Sequence, residues 1–168
     1  MILRYTGPMP LDPEFVADCP YGPGGLLVDE VTEVSLADRR VVLRMPTSAD
    51  QPITREQRVH PVRHPRHVSG GLMVHMTGVA GYAHFYYVTG LRHRDGWVGF
   101  GGRIRSARFH ALATVGVPLR ITCRCTHERR GEVRIVSRYD LTFHQGDRLV
   151  YSGDQTAIWI DTTKQRVE

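Results

Sequence analysis

From Ser69 to Tyr87 the chain reads SGGLMVHMTGVAGYAHFYY, without a proline or a charged side chain. Leu72, Met73, Met76, Val79, Ala80 and Ala83 recur in it at helical spacing. A helix with no charged face has nothing to offer water, so it must be buried nearly all round. Ser69 suits the N-cap and Gly90 the C-terminal end. The pattern predicts a helix from Ser69 to about Val88. Gly78 and Gly81 lie inside it, each costing about 1 kcal/mol relative to alanine. The expected return is close approach of a neighbouring backbone.

The flanking sequence supplies what can cover such a helix. Leu26 to Val34 and Val41 to Met45 read as strands joined by the turn SLADRR. Pro46 to His67 is rich in Pro, Arg and His and reads as a loop. After the helix come Trp97 to Phe109, interrupted by glycines, and Leu119 to His127, which alternates cleanly. Val133 to Phe143 and Leu149 to Ile160 follow, joined at Gln145-Gly146-Asp147 as a hairpin. Residues 1–24 are Pro- and Gly-rich and read as an irregular arm. There are no repeats and no dividing linker, so 1–168 is expected to be one domain. One helix and these strands make an α+β fold, with five to seven antiparallel strands enclosing the helix.

Composition bounds the function. The chain has 168 residues with 41% apolar content, enough for a sizeable core. No apolar run suggests a membrane helix, and the N-terminus lacks the apolar stretch of a signal peptide. A cytoplasmic protein that does not engage a membrane is expected. Cys123 and Cys125 lie two apart in a strand-like run and read as small apolar residues rather than zinc ligands. The formal net charge of +5 comes almost wholly from arginine and suits an anionic partner. No nucleic-acid motif appears, and aromatics do not interleave with the basic residues, so nucleic acid is not expected.

Several segments resemble the 3-hydroxyacyl-[acyl carrier protein] dehydratases of the hot-dog fold. Tyr21-Gly22-Pro23-Gly24-Gly25-Leu26-Leu27-Val28-Asp29-Glu30-Val31 resembles their opening strand. His60-Pro61-Val62-Arg63-His64-Pro65 is similar to their loop before the central helix. Ala107-Arg108-Phe109 and Val117-Pro118-Leu119 resemble later motifs. The resemblance covers roughly residues 20–160. A shorter one, from His67-Val68-Ser69 through Tyr82 and Phe85, is to acyl-CoA thioesterases of the same fold. Together they imply a hot-dog fold with a long central helix wrapped by a curved antiparallel sheet. They also imply a homodimer or heterodimer, and an acyl thioester in a tunnel at the dimer interface. The thioester is carried on phosphopantetheine by acyl carrier protein or coenzyme A, with no cofactor and no metal.

One departure bears on the chemistry. The family carries a helix carboxylate about 14 residues after its catalytic histidine, yet no acid lies between Glu56 and Asp95 here. The position falls at Val74, with His75 next. The dehydratase pair is therefore incomplete, or rebuilt with His60 as the general base and His75, or a water it holds, standing where the family keeps its carboxylate. Dehydration needs a base for the α-proton and a donor for the departing hydroxyl, and imidazoles can serve both roles. His60, His64, His67 and His75 are the catalytic candidates; taken singly, each also reads as a surface or hydrogen-bonded core histidine. Ser69, Gly70 and Gly71 at the helix N-terminus could polarise the thioester carbonyl. Arg103, Arg105 and Arg108 could meet a phosphate or an acidic carrier. Three functions stay open: a dehydratase, a thioesterase, or a non-catalytic subunit of a heterodimer.

Overall fold

A computed structural model describes residues 4–164. The charge-free stretch is a helix, α3 (Gly70–Tyr87), with Leu72, Met76, Val79, Ala80, Ala83 and Phe85 among its buried residues. Ser69 holds the N-cap position, but its hydroxyl makes no capping bond. Its N–H donates instead to Thr54 Oγ1 at 3.3 Å.

Nine strands surround or flank this helix: β1 (Arg4–Pro10), β2 (Glu30–Ser35), β3 (Arg40–Met45), β4 (His67–Val68), β5 (Trp97–Phe109), β6 (Ala113–Thr114), β7 (Leu119–Arg130), β8 (Arg134–Gln145) and β9 (Arg148–Asp161). Seven form one antiparallel sheet in the order β1-β2-β3-β7-β8-β9-β5. β4 and β6 pair separately. The sheet folds over α3, which touches β3, β7 and β5. This is the α+β hot-dog arrangement expected from the sequence. Strand alternation sets the faces. Along β7, Leu119, Ile121, Cys123 and Cys125 are buried against the helix. The cysteines are free thiols in that core, and burial raises both above their ordinary pKa.

Away from the helix, the sheet carries ion pairs between neighbouring strands. Arg40 pairs with Glu33, Arg44 with Asp29, Arg124 with Asp140 and Arg138 with Asp154. The Arg138 guanidinium holds the Asp154 carboxyl below its usual pKa.

Two sequence expectations need correction. The N-terminal arm is not irregular where it is described: Arg4–Pro10 is an edge strand paired with β2. Its prolines hid it, and an edge tolerates them because one side of the strand needs no ladder bonds. Two short helices follow, α1 (Pro13–Asp18) and α2 (Pro23–Leu26). The strand expected from Leu26 begins only at Glu30, because Pro23 starts a helical turn that Leu27, at φ 55°, closes.

Candidate active site

Gly78 and Gly81 do not receive a neighbouring backbone. A Cβ at Gly81 would meet nothing within 4 Å, and one at Gly78 only Tyr21 Oη at 3.9 Å. What the two glycines leave is space. A cavity of about 100 Å³ lies between this face of α3 and strands β5, β8 and β9. Its floor is Trp159, stacked on Phe85 with ring centroids 3.9 Å apart, and flanked edge-on by Tyr82 at 5.2 Å. Gly99 makes room for the floor, since a Cβ there would sit 2.3 Å from the indole. Leu141 and Tyr139 complete the wall.

A second compartment of about 360 Å³ adjoins the first and shares Tyr21, Thr77, Gly78, Gly101, Gln155 and Thr156 with it. Val74, His75 and Arg103 line this outer part. Thr77 Oγ1 lies 2.6 Å from Val74 O and 2.8 Å from Gln155 Oε1, with one proton to share. Gln155 Nε2 in turn donates to Tyr151 Oη at 3.2 Å. Burial pushes Tyr82, Tyr139 and Tyr151 above the usual phenol pKa, so all three remain protonated at neutral pH.

Of the four candidate histidines, His75 alone borders this space. Its Nε2–H donates to the Gly25 carbonyl at 2.7 Å, and the Tyr21 ring meets it edge-on at 4.8 Å. Because a carbonyl can only accept, the proton sits on Nε2 and Nδ1 keeps a free lone pair. His60 lies in the exposed loop before β4 and pairs with His64 through the backbone. Its Nδ1 accepts from Arg63 N–H at 2.8 Å and Val62 N–H at 3.3 Å, which leaves the ring proton on Nε2. His64 and His67 meet edge to face at 5.1 Å, and His67 Nδ1 bonds Pro65 O. His60 and His64 thus share one loop and His67 begins β4 just after it, while His75 sits apart at the cavity. Among the described residues, no carboxylate borders either compartment.

The other candidates divide likewise. Arg103 lines the outer compartment; Arg105 and Arg108 lie exposed further along β5. Ser69, Gly70 and Gly71 lie at the start of α3 and border neither compartment. Gly70 is pressed under the Phe109 ring, where a Cβ would lie 3.0 Å from it. Sequence reasoning did not single out Thr77, Gln155 or Trp159. The glycine pair in α3 was the signal that a wall was missing there.

No protein-family model and no curated protein matches this sequence. Solved structures do. A dehydratase heterocomplex, ApeI:P from Xenorhabdus doucetiae, aligns with a TM-score of 0.58 at 16% identity, covering 93% of this chain and 94% of that one. The thioesterase PA1618 from Pseudomonas aeruginosa aligns at 0.57 and 15%, covering 87% and 91%. The fluoroacetyl-CoA thioesterase FlK aligns at 0.57 and 16%, covering 74% and 87%. By its own topology and by these likenesses, the chain has the hot-dog fold.

Proposed function

We propose that this protein is an acyl-thioester enzyme that removes water from a 3-hydroxyacyl group held on phosphopantetheine. The observation that carries this reading is His75, the one histidine at a two-part cavity, with its tautomer set by Gly25. With a substrate in the cavity, the free Nδ1 takes the proton from the α-carbon. The same nitrogen returns it to the 3-hydroxyl as the carbon–oxygen bond breaks, so water leaves and the imidazole ends neutral. One imidazole then does the work that the resemblance divides between histidine and carboxylate.

A second copy of the chain has a place in this proposal. β5 ends the sheet with an unpaired side, and Phe100, Ile104 and Phe109 are each more than half exposed along it. The opposite edge, β1, is blunted by Pro8 and Pro10. Antiparallel pairing of two β5 strands sets the Phe109 end of one against the Trp97 end of the other. Phe109 packs on Gly70, at the start of the helix that follows the histidine loop. We assign His60 of the second copy to the outer compartment in such a pair, where its Nε2–H would hold the substrate hydroxyl. The large coverage by the dehydratase heterocomplex supports this reading.

A hydrolytic reading is favoured by one feature. The Thr77–Gln155 pair stands where the two compartments join and can hydrogen-bond a water. A thiolate also leaves without needing a proton. Mass spectrometry of 3-hydroxyacyl and saturated acyl thioesters after incubation with the protein decides between them. Loss of water from the 3-hydroxyacyl thioester is expected; release of free acid from both overturns the dehydratase assignment.

A further inference from the structure

We infer that the inner cavity is an acyl subsite limited to short chains, about four carbons past the reacting centre, and that Gly81 sets this limit. The inference rests on the acyl-thioester reading above and adds to it the size of the substrate. Glycine is a poor choice inside a helix. At position 81 nothing in the packing excludes a larger residue, because an added Cβ meets no atom within 4 Å. Helix propensity and available space would both admit alanine, so only the cavity gains from its absence.

The cavity is bounded as well as open. Trp159 lies flat against Phe85, the planes 8° apart, and closes the inner end. The indole cannot slide toward β5 without striking Gly99, which it already approaches to within 2.3 Å of a would-be Cβ. The buried Tyr139 hydroxyl interacts with Ser137 and with the Trp159 indole, so the polar groups of these two lining residues meet each other. A cavity of about 150 Å³ accommodates a six-carbon ring, so one of about 100 Å³ takes roughly four carbons. The reacting carbons, thioester and carrier arm then lie in the outer compartment beside His75 and Arg103.

The test uses S-alkyl pantetheine thioethers, from ethyl to decyl, which carry no bond to cleave. Binding is followed by tryptophan fluorescence, for which Trp159 is the reporter in the cavity. Affinity is expected to rise to about heptyl, with three carbons in the outer compartment and four in the cavity, and then stop rising or fall. Gly81→Ala is expected to weaken heptyl binding by about 10-fold, the discrimination that one misplaced methyl gives in an apolar pocket. It should leave ethyl binding within a factor of about two and not lower the melting temperature. Gly78→Ala, whose methyl meets only Tyr21 Oη, is the second variant, with the same expectation. Affinity that keeps rising through decyl, no binding at any length, or a Gly81→Ala profile identical to wild type overturns the inference. Chain-length-limited binding without turnover of any thioester upholds the subsite and overturns the reaction assigned above.

Discussion

His75 donates its Nε2–H to the Gly25 carbonyl across 2.7 Å, a bond that joins residues 50 apart in the chain. It fixes which nitrogen can act as a base, and it ties the helix to the segment before β2. Replacing His75 by Gln removes the base while keeping a side chain able to donate to Gly25. Turnover should fall by about 10²–10⁴, with the melting temperature close to wild type. Equal activity in His75→Gln would remove the residue from the mechanism. His60→Ala should cost less, about 10-fold, since it withdraws a hydrogen bond rather than the base. Loss of activity in His67→Ala with His60→Ala unaffected would instead favour the thioesterase-type alignment.

Arg103 lines the outer compartment and makes no ion pair among the described residues. Arg103→Ala should raise KM several-fold, with kcat within about twofold, because the charge contacts the carrier arm equally in ground and transition states. The effect should shrink at high ionic strength, where exposed charges are screened. Steady-state kinetics at two salt concentrations check this, and a fall confined to kcat would contradict it.

His84 is fully buried in α3 and bonds Arg39 O through Nε2 at 3.0 Å. Burial, the largest influence, lowers its pKa from 6.5 to about 4. The unfolded chain therefore takes up a proton near pH 6.5 that the folded chain refuses until about pH 4. Stability from this group is complete above about pH 6.5 and is lost as pH falls through that window, by roughly 3 kcal/mol in all. Urea midpoints measured between pH 7 and pH 4 should show the loss, and His84→Gln should flatten the slope. A slope unchanged in that variant would assign the acid sensitivity elsewhere.

Charge placed on the free edge of β5 should separate two copies. Ile104 is 53% exposed there, and Ile104→Asp should convert a dimer into a monomer of 19.0 kDa by light scattering. Wild type at the monomer mass would refute pairing through β5.

The parts of the fold legible in the sequence are those where one residue's neighbours in space are its neighbours in pattern. The helix announced itself because burial on every side forbids charge. β7 did so because Leu119, Ile121, Cys123 and Cys125 keep strict alternation against that helix. β1 was hidden because an edge strand can hold Pro8 and Pro10, which a sequence pattern reads as irregular. The site was less legible. His60, His64, His67 and His75 are close in sequence, but a loop turn separates the first three from the cavity. Thr77 and Gln155 touch although 78 residues part them, and no local spacing records such a meeting. The helix glycines were visible from the start, but whether they admit a backbone or leave a void depends on what lies opposite.

The cross-strand ion pairs on the outer face bear on how fast a partner arrives. Arg40, Arg44, Arg124 and Arg138 are each neutralised by a carboxylate on the adjoining strand or beside it, whereas Arg120 and Arg134 on the same face make no ion pair among the described residues. Arg103 and Arg108 on β5 have no such match among the described residues. Of these, Arg103 leaves its positive charge beside the outer compartment. The anionic carrier proposed above would be drawn toward that compartment before any contact forms, which makes the encounter rate, more than the final affinity, the quantity that this charge governs.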